Sequence, residues 1–494
     1  MTELVARAFL PRDGSLQRAS RTGAAALALG LVALGLVALG LVQALDASGV
    51  SFALGLAGGL ALMAFLLLTI RHYDTAIAIG LLLMGVVRFE PAPPDLAFAV
   101  IMCVAAATGR FRLSRVPPLL RWIVALLLVV NLASLTDILS GSAAVRFLLI
   151  TVYLAIFALW LTAFMDSPSR ARLVVVTWLA IAVASAVVAS LALHFPIPGR
   201  QFINGSVDNG ERASGLFKDP NVFGPFLIPI ALILLEQHIA PKVPRLLRLR
   251  AGTMWLLLLA LTLGVLFSYS RAAWANFAIA MVVMLAASSM RRRGSRRALR
   301  ALMALLLVGG LTLVILSASG SVHFLEQRAH AQSYDTQRFA AQNFGWKLGW
   351  THPVGVGPGQ FEFHSPVASH STFVRVFAEQ GPLGLLLWVT LLLATLVLAL
   401  RNVVLGRDTY GIGSAALLGA WCGLIFNSAV VDTLHWRHLW VVTALIWAGA
   451  ARGSLAQSGS VWAALRLARP NGRRVGTLSP RTIVQPPAPS GRSW

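Results

Sequence analysis

The amino-acid sequence predicts an all-α, polytopic transmembrane helical bundle of about fourteen spans, with a long helical loop on one side of the membrane. Three observations carry this expectation. Only 12% of the 494 residues are charged while 57% are hydrophobic, against about a quarter charged in soluble globular proteins. Many uninterrupted apolar stretches approach or exceed the roughly 20 residues a helix needs to cross the hydrocarbon core. No stretch alternates apolar and polar residues as the strands of a membrane barrel do.

The elements follow in chain order. A basic leader, residues 1–22, precedes an apolar stretch at 23–45 with no evident cleavage site, which reads as a retained first span. Further spans are expected near 51–70, 74–89, 95–109, 117–136, 147–165 and 173–193, completing an N-terminal group of transmembrane helices over 23–193. A second group, residues 194–451, holds spans near 221–239, 251–269, 272–289, 301–318, 382–400, 411–430 and 436–451. Within it lie two long loops, about 194–220 and about 319–381. Residues 452–494 are basic and rich in Pro, Ser and Gly, the composition of a disordered tail able to lie on anionic lipid. Both cysteines, Cys103 and Cys422, fall inside apolar runs and read as small packing residues.

An even number of spans puts both termini on one side, and charge decides which. With the N-terminus in the cytoplasm, 30 of the 41 basic residues fall in cytoplasmic segments, loop by loop. The net charge of +23 is therefore a topological signal and implies no nucleic-acid partner. The cations that resist the bias are Arg88, Arg146, Arg200, Arg212, Lys218, Arg271, Arg328, Arg338, Lys347, Arg375 and Arg437.

Several of these stand in chemically suggestive surroundings. Arg212 opens the stretch Arg-Ala-Ser-Gly-Leu-Phe-Lys-Asp-Pro-Asn, residues 212–221, just before a span. Asp219 or Asn221 can cap that helix, with Pro220 in its first turn. The helix N-terminus, Lys218 and Arg212 together suit an anion; a capped loop with a Glu211–Arg212 pair is the plainer alternative. Arg271 ends Phe-Ser-Tyr-Ser-Arg, where one span closes and the next opens, a place where arginine also simply snorkels. Residues 322–350 are amphipathic and include Arg338, which suits interfacial helices. The turn Pro-Val-Gly-Val-Gly-Pro-Gly-Gln-Phe, residues 353–361, is a weak phosphate signal, because it lacks the Lys-Ser/Thr ending of a nucleotide loop.

Residues 369–381 read as a short helix stopped by Gly381-Pro382. Phe373, Val374 and Phe377 follow His370 at three, four and seven positions, so His370 begins an apolar, inward-facing stripe. Such a histidine serves either as a core residue satisfied by one hydrogen bond or as a proton acceptor near neutral pH. Asn427, Asp432, His435, Arg437 and His438 cluster where a late span emerges on the same face; Asp432 can pair with Arg437 or orient a histidine. No Asp-x-Asp, His-Glu-x-x-His or Gly-x-Ser-x-Gly occurs, and no carboxylate pair on this face has metal spacing. A phosphate here would be met by arginine, whose planar fork binds its oxygens bidentately.

Taken in order, the 212–221 block, Ser270-Arg271, the stretch from Arg338 to Phe361 and the His370 helix with its Glu379-x-Gly381 end resemble the superfamily of bacterial O-antigen ligases and Wzy-type polysaccharide polymerases. The resemblance covers roughly 200–440; Ser371 stands where that superfamily usually has Asn. It implies an inverting, metal-independent C-type glycosyltransferase fold and activity, needing no cofactor, in the bacterial inner membrane with a periplasmic active site. The implied donor is an undecaprenyl-diphosphate-linked oligosaccharide, and the acceptor a glycan or lipid A-core. By that resemblance His370, Arg212 and Arg271 are catalytic, His370 as base and the arginines at the diphosphate. Arg338 assists at the donor, and Lys218, Asn221, Asp432, His435 and Arg437 are further substrate-binding candidates. Polymerisation of exopolysaccharide or O-antigen repeats is favoured over ligation to lipid A-core. A secondary transporter is the alternative of a different class, disfavoured because no paired interrupted spans occur and the charges gather at one interface.

Overall fold

The structure is a computed structural model and describes residues 52–88, 92–204, 211–239, 246–290, 310, 314, 317 and 333–467. It is helical, and the described residues contain no strand beyond the isolated Thr409–Ile412 bridge. The helices are α1 (Phe52–Arg71), α2 (Tyr73–Leu83), α3 (Pro93–Ala107), α4 (Pro118–Ala133), α5 (Gly141–Phe164), α6 (Pro168–His194) and the short α7 (Arg200–Asn204). They continue with α8 (Pro220–Ile239), α9 (Ala251–Phe267), α10 (Arg271–Met290), α11 (Ser333–Thr351), the single turn α12 (Phe361–His364), α13 (Thr372–Val404), α14 (Ser414–Val430) and α15 (Arg437–Leu467). Among the described residues, five helices are long and apolar enough to cross a membrane, and shorter apolar helices accompany them. The chain is a polytopic helical membrane protein. The spans expected at 23–45 and 301–318 lie outside the described residues, apart from helical positions 310, 314 and 317.

Helix boundaries depart from the expected spans where a cap was overlooked. α5 begins before 147 because Ser140 accepts the Ala143 amide, and α6 begins before 173 because Ser167 accepts the Arg170 amide with Pro168 in the first turn. α2 stops at Leu83, short of 89, and the chain leaves it to bond Val87 N–H to Leu216 O at 3.0 Å, anchoring the loop that carries Arg212. A first compact unit ends at Gly453. α15 is assigned to Leu467, so helix occupies the first part of the segment read as a disordered tail.

α8 is apolar all round and almost wholly buried, as a helix enclosed by others must be. It carries Pro225 and Pro229 in its interior; inside a bundle, neighbouring helices relieve the backbone groups that proline frees. Glu236, near its C-terminal end, is buried and accepts the Ala416 amide at 2.7 Å. That carboxylate satisfies orphan amides at the start of α14 and sets the two helices antiparallel. The start of α8 and the end of α14 therefore share one end of the bundle.

α10 and α14 form the most extensive helix pair. Gly419, Gly423 and Asn427 lie four residues apart along α14. A side chain at Gly419 would strike the Ala280 carbonyl, and one at Gly423 would strike Asn276, so small residues permit the close approach. Asn427 completes the stripe: its Oδ1 accepts from Asn276 Nδ2, and its Nδ2 donates to Ala272 O at 3.2 Å. This contact sets the first turn of α10, with Arg271, against the last turn of α14.

The stop expected at Gly381-Pro382 is present: α13 breaks at Gly381, with φ 68° and ψ −173°. The first segment, residues 372–380, is a short buried helix rather than the start of a continuous span. Gly381→Ala would require a β-carbon in a left-handed conformation pressed on Pro353 O. It should destabilise the protein by about 2 kcal/mol or more, read as a lower midpoint for thermal unfolding in detergent.

Candidate active site

The segment before α8 is built around two asparagines. Asn204, at the end of α7, is buried; its Oδ1 accepts the amides of Ser214 and Gly215 at 3.1 and 3.0 Å, and its Nδ2 donates to Ala189 O at 2.8 Å. Asp219 caps α8 as expected: its Oδ1 accepts the Asn221 amide at 2.8 Å, with Pro220 at the first helical position. Asn221 is the second centre. Its Oδ1 accepts from Arg212 Nη2 at 3.3 Å and from Ser270 Oγ at 2.7 Å. Arg212 is buried, and its Nε donates to Ser268 O at 3.0 Å. The 212–221 block and the Ser268–Arg271 turn are thus one hydrogen-bonded unit. Tyr269 takes a left-handed φ of 46° within that turn, and Ser270 Oγ accepts the Ala273 amide at 3.2 Å, capping α10.

Arg271 begins α10 beside this unit. Its Nη2 donates to both carboxylate oxygens of Asp335, at 2.6 and 2.9 Å. Asp335 lies in the first turn of α11, and Arg338 follows it by three residues on the same side of that helix. The snorkelling alternative for Arg271 therefore gives way to a fixed ion pair between two segments of the site. Lys218 is exposed next to Asp219.

The glycine-rich turn has a structural task. Val356 N–H donates to Ala378 O and Gly357 N–H to Glu379 O, both at 3.0 Å, so the turn lies on the backbone of residues 378–379. At Gly355 φ is 88°, and a β-carbon would collide with the Glu379 backbone. The sequence signal here marks close backbone packing, not a phosphate cradle. Gln360, fully buried at the end of the turn, ties it to the loop before α5. Its Oε1 accepts the Leu139 and Ser140 amides at 2.8 and 2.9 Å, and its Nε2 donates to Ser140 O at 3.1 Å.

His370 stands outside the helix that follows it, one residue before the N-cap Ser371, with a left-handed φ of 46°. Non-glycine residues hold such a conformation only where the surroundings impose it. Here Gln342 Nε2 of α11 donates to His370 O at 3.3 Å, and Ser369 Oγ donates to Ser371 O at 3.2 Å. Val374 packs with Leu348, Val356, Phe361 and Ala378 as an inward stripe requires. Phe377 sits under Trp346 and Trp350, ring centroids 4.9 and 5.1 Å away.

The charged centre beside this helix is Arg375, which the sequence reading noticed only as a cation against the topological bias. Its side chain is 4% exposed and is paired with three carboxylates: Asp432 through Nε at 2.7 Å, Glu379 through Nη1 at 3.0 Å, and Glu362. The guanidinium also lies 5.2 Å from the Phe147 ring centroid. One expectation is corrected by this arrangement. Asp432 pairs with Arg375, not Arg437. Arg437 turns instead to Asp95 at the start of α3, Nε to Oδ1 at 2.7 Å. His435 Nε2 is 3.0 Å from Thr151 Oγ1, and its ring centroid lies 5.0 Å from that of Phe147.

Four segments converge electrostatically on His370. Burial and the Arg338 guanidinium hold its imidazole below the ordinary histidine value; Asp219 and Asp432 pull it up, and Arg375 pulls it down. A neutral imidazole can accept a proton, and the arginines nearby can meet developing negative charge. Among the described residues no group of three or more His, Cys, Asp and Glu side chains could hold a metal ion.

Residues 256–389 match the family described as O-Antigen ligase (Wzy_C). The matched stretch contains Arg271, Arg338, His370 and Arg375, while the 212–221 block and the 427–438 cluster lie outside it. Fold and match together describe a multi-pass membrane protein with a stretch, about a quarter of the chain, similar to the O-antigen ligase family. The match supports a place in the O-antigen ligase and Wzy-type superfamily, and with it glycosyl transfer in polysaccharide or lipopolysaccharide assembly. No curated protein matches the chain.

Gln360→Ala removes the acceptor shared by two amides and the donor to Ser140 O. It should cost about 2–4 kcal/mol, and limited proteolysis should show faster cleavage within 353–369 than in the wild type.

Proposed function

We propose that this protein transfers a glycan, with inversion, from an undecaprenyl-diphosphate carrier to a sugar hydroxyl at the periplasmic face of the bacterial inner membrane. Repeat-unit polymerisation is the favoured outcome. The observation that carries this reading is the convergence on His370 of charges from α11, from the segment before α8, from α13 and from the 431–436 linker. A candidate base thus stands among groups suited to an anionic leaving group.

In this reading the acceptor oxygen attacks the anomeric carbon while His370 takes its proton. The bond from that carbon to the diphosphate oxygen breaks, and the departing polyprenyl diphosphate carries away the electron pair. Arg212 and Arg271 neutralise its charge, and Arg338 assists at the donor. Arg212 enters with its guanidinium already oriented by Ser268 O and Asn221, which lowers the reorganisation needed in the transition state. Arg271 is held by Asp335, so donor phosphate oxygens compete with that carboxylate. Lys218, Asn221 and Asp432 complete the polar surface. Arg437, paired with Asp95, and His435, beside Thr151, remain further substrate-binding candidates of this reading.

Two measurements test the reading. A polymerase-null and a ligase-null host are each complemented with wild-type protein and with His370→Ala at matched membrane expression. Polymer should return in one host and fall by about 10²–10⁴-fold in the variant. Rescue of the ligase-null host alone would name lipid A-core as acceptor. Full activity of His370→Ala would remove its role as base, and rescue of neither host would favour transport. Secondly, burial and the Arg338 guanidinium hold the His370 pKa below the ordinary histidine value, so the base gains its proton at lower pH than a free histidine does. The acid limb of donor-limited turnover should therefore lie below pH 6.5, and a limb at or above 7 would contradict the site's electrostatics.

A further inference from the structure

Arg375 sits one helical turn after the histidine, and its amide donates to Ser371 O at 3.0 Å in the first turn of α13. A guanidinium with 4% of its side chain exposed must be paired, because an unpaired buried charge costs several kcal/mol. Its Nε lies 2.7 Å from Asp432 Oδ2 in an ion pair, while Asp432 Oδ1 accepts the Leu434 amide at 3.1 Å and Thr372 Oγ1 at 3.4 Å. Thr433 N–H closes the junction on Thr372 Oγ1 at 2.7 Å. One carboxylate therefore joins the 431–434 linker to the first turn of the helix that follows His370, at Thr372 and at Arg375.

We infer that Arg375 is a positioning residue of this site, which fixes Asp432 against the start of the His370 helix and balances its charge there. The inference rests on the proposed role of His370 and extends it to a residue that touches neither donor nor acceptor in that mechanism. The charged groups facing His370 are Arg338 from α11, Asp219 from the segment before α8, Asp432 from the linker and Arg375 from α13. Asp432 and Arg375 act on the imidazole with opposite sign, so their pairing keeps the carboxylate from holding a proton on the base. Arg375 has two further carboxylates, Glu379 and Glu362, and so remains paired when Asp432 is neutralised.

The test measures the titration of His370 without requiring glycosyl transfer. Diethylpyrocarbonate modifies neutral imidazole, and peptide-resolved mass spectrometry reads the rate at His370 as a function of pH in detergent-purified protein. Arg375→Gln removes a positive charge and leaves Asp432 uncompensated, so the midpoint should rise. At a fixed pH below the midpoint the rate should fall by about twofold or more. Asp432→Asn should do the opposite, lowering the midpoint and raising the rate. The double variant should return towards the wild type, and Arg375→Lys should stay close to it. Midpoints that move together, or do not move, would overturn the inference. Loss of folding would also move them together, towards that of a solvent-exposed histidine. If Arg375→Gln does not accumulate, Asp432→Asn decides alone, and an unchanged midpoint there refutes the balance. Retained activity of His370→Ala would instead refute the base and leave these titrations standing.

Discussion

A guanidinium cannot be left alone in a dry interior, and much of this site is arranged around that constraint. Arg375 draws Asp432 from the linker after α14, Glu362 from the single turn α12, and Glu379 from its own helix. Phe147 of α5 covers it from another direction. Glu379 in turn accepts the Phe361 amide at 3.2 Å, carrying the network into the glycine-rich turn. Elements far apart in sequence are thereby held to the short helix that begins just after His370. The strained φ of that histidine persists because its neighbours on both sides are fixed.

The opposite wall obeys a different rule. Arg212 is positioned by packing of apolar helices and by hydrogen bonds to Ser268 O and Asn221, whereas Arg271 is held by its ion pair with Asp335. The Gly419–Gly423–Asn427 stripe brings α14 onto α10, and Ser270 joins the start of α10 to the segment before α8. In a bilayer, where lipid is as apolar as leucine, close backbone approach and a few buried polar contacts select one helix pairing over others. Charges of both signs act on the His370 imidazole, from Arg338, Asp219, Asp432 and Arg375.

The bundle was legible because hydropathy and charge asymmetry are local and additive signals: each described span expected from the sequence has a helix at its place. Boundaries failed where a single capping serine or an early departure decided them, as at Ser140, Ser167 and Leu83. Of the two caps expected, Asp219 and Asn221, Asp219 holds the position with Pro220 after it, since a cap and a first-turn proline act within one helical turn. The Gly381 stop was read correctly for the same reason.

Pairings were another matter. Asp432 stands five residues from Arg437, yet each takes a partner from a distant part of the chain, Arg375 and Asp95. Arg271 finds Asp335 across a stretch that includes an expected span. No periodicity reports such choices. By itself the sequence determined the helical membrane class, the order of the elements and the residue types able to carry a phosphate or a proton, because these follow from local composition and spacing. Only the tertiary structure decided which carboxylate meets which arginine and what His370 feels. Electrostatic pairing depends on distance in space and on burial, and neither is set by neighbours along the chain.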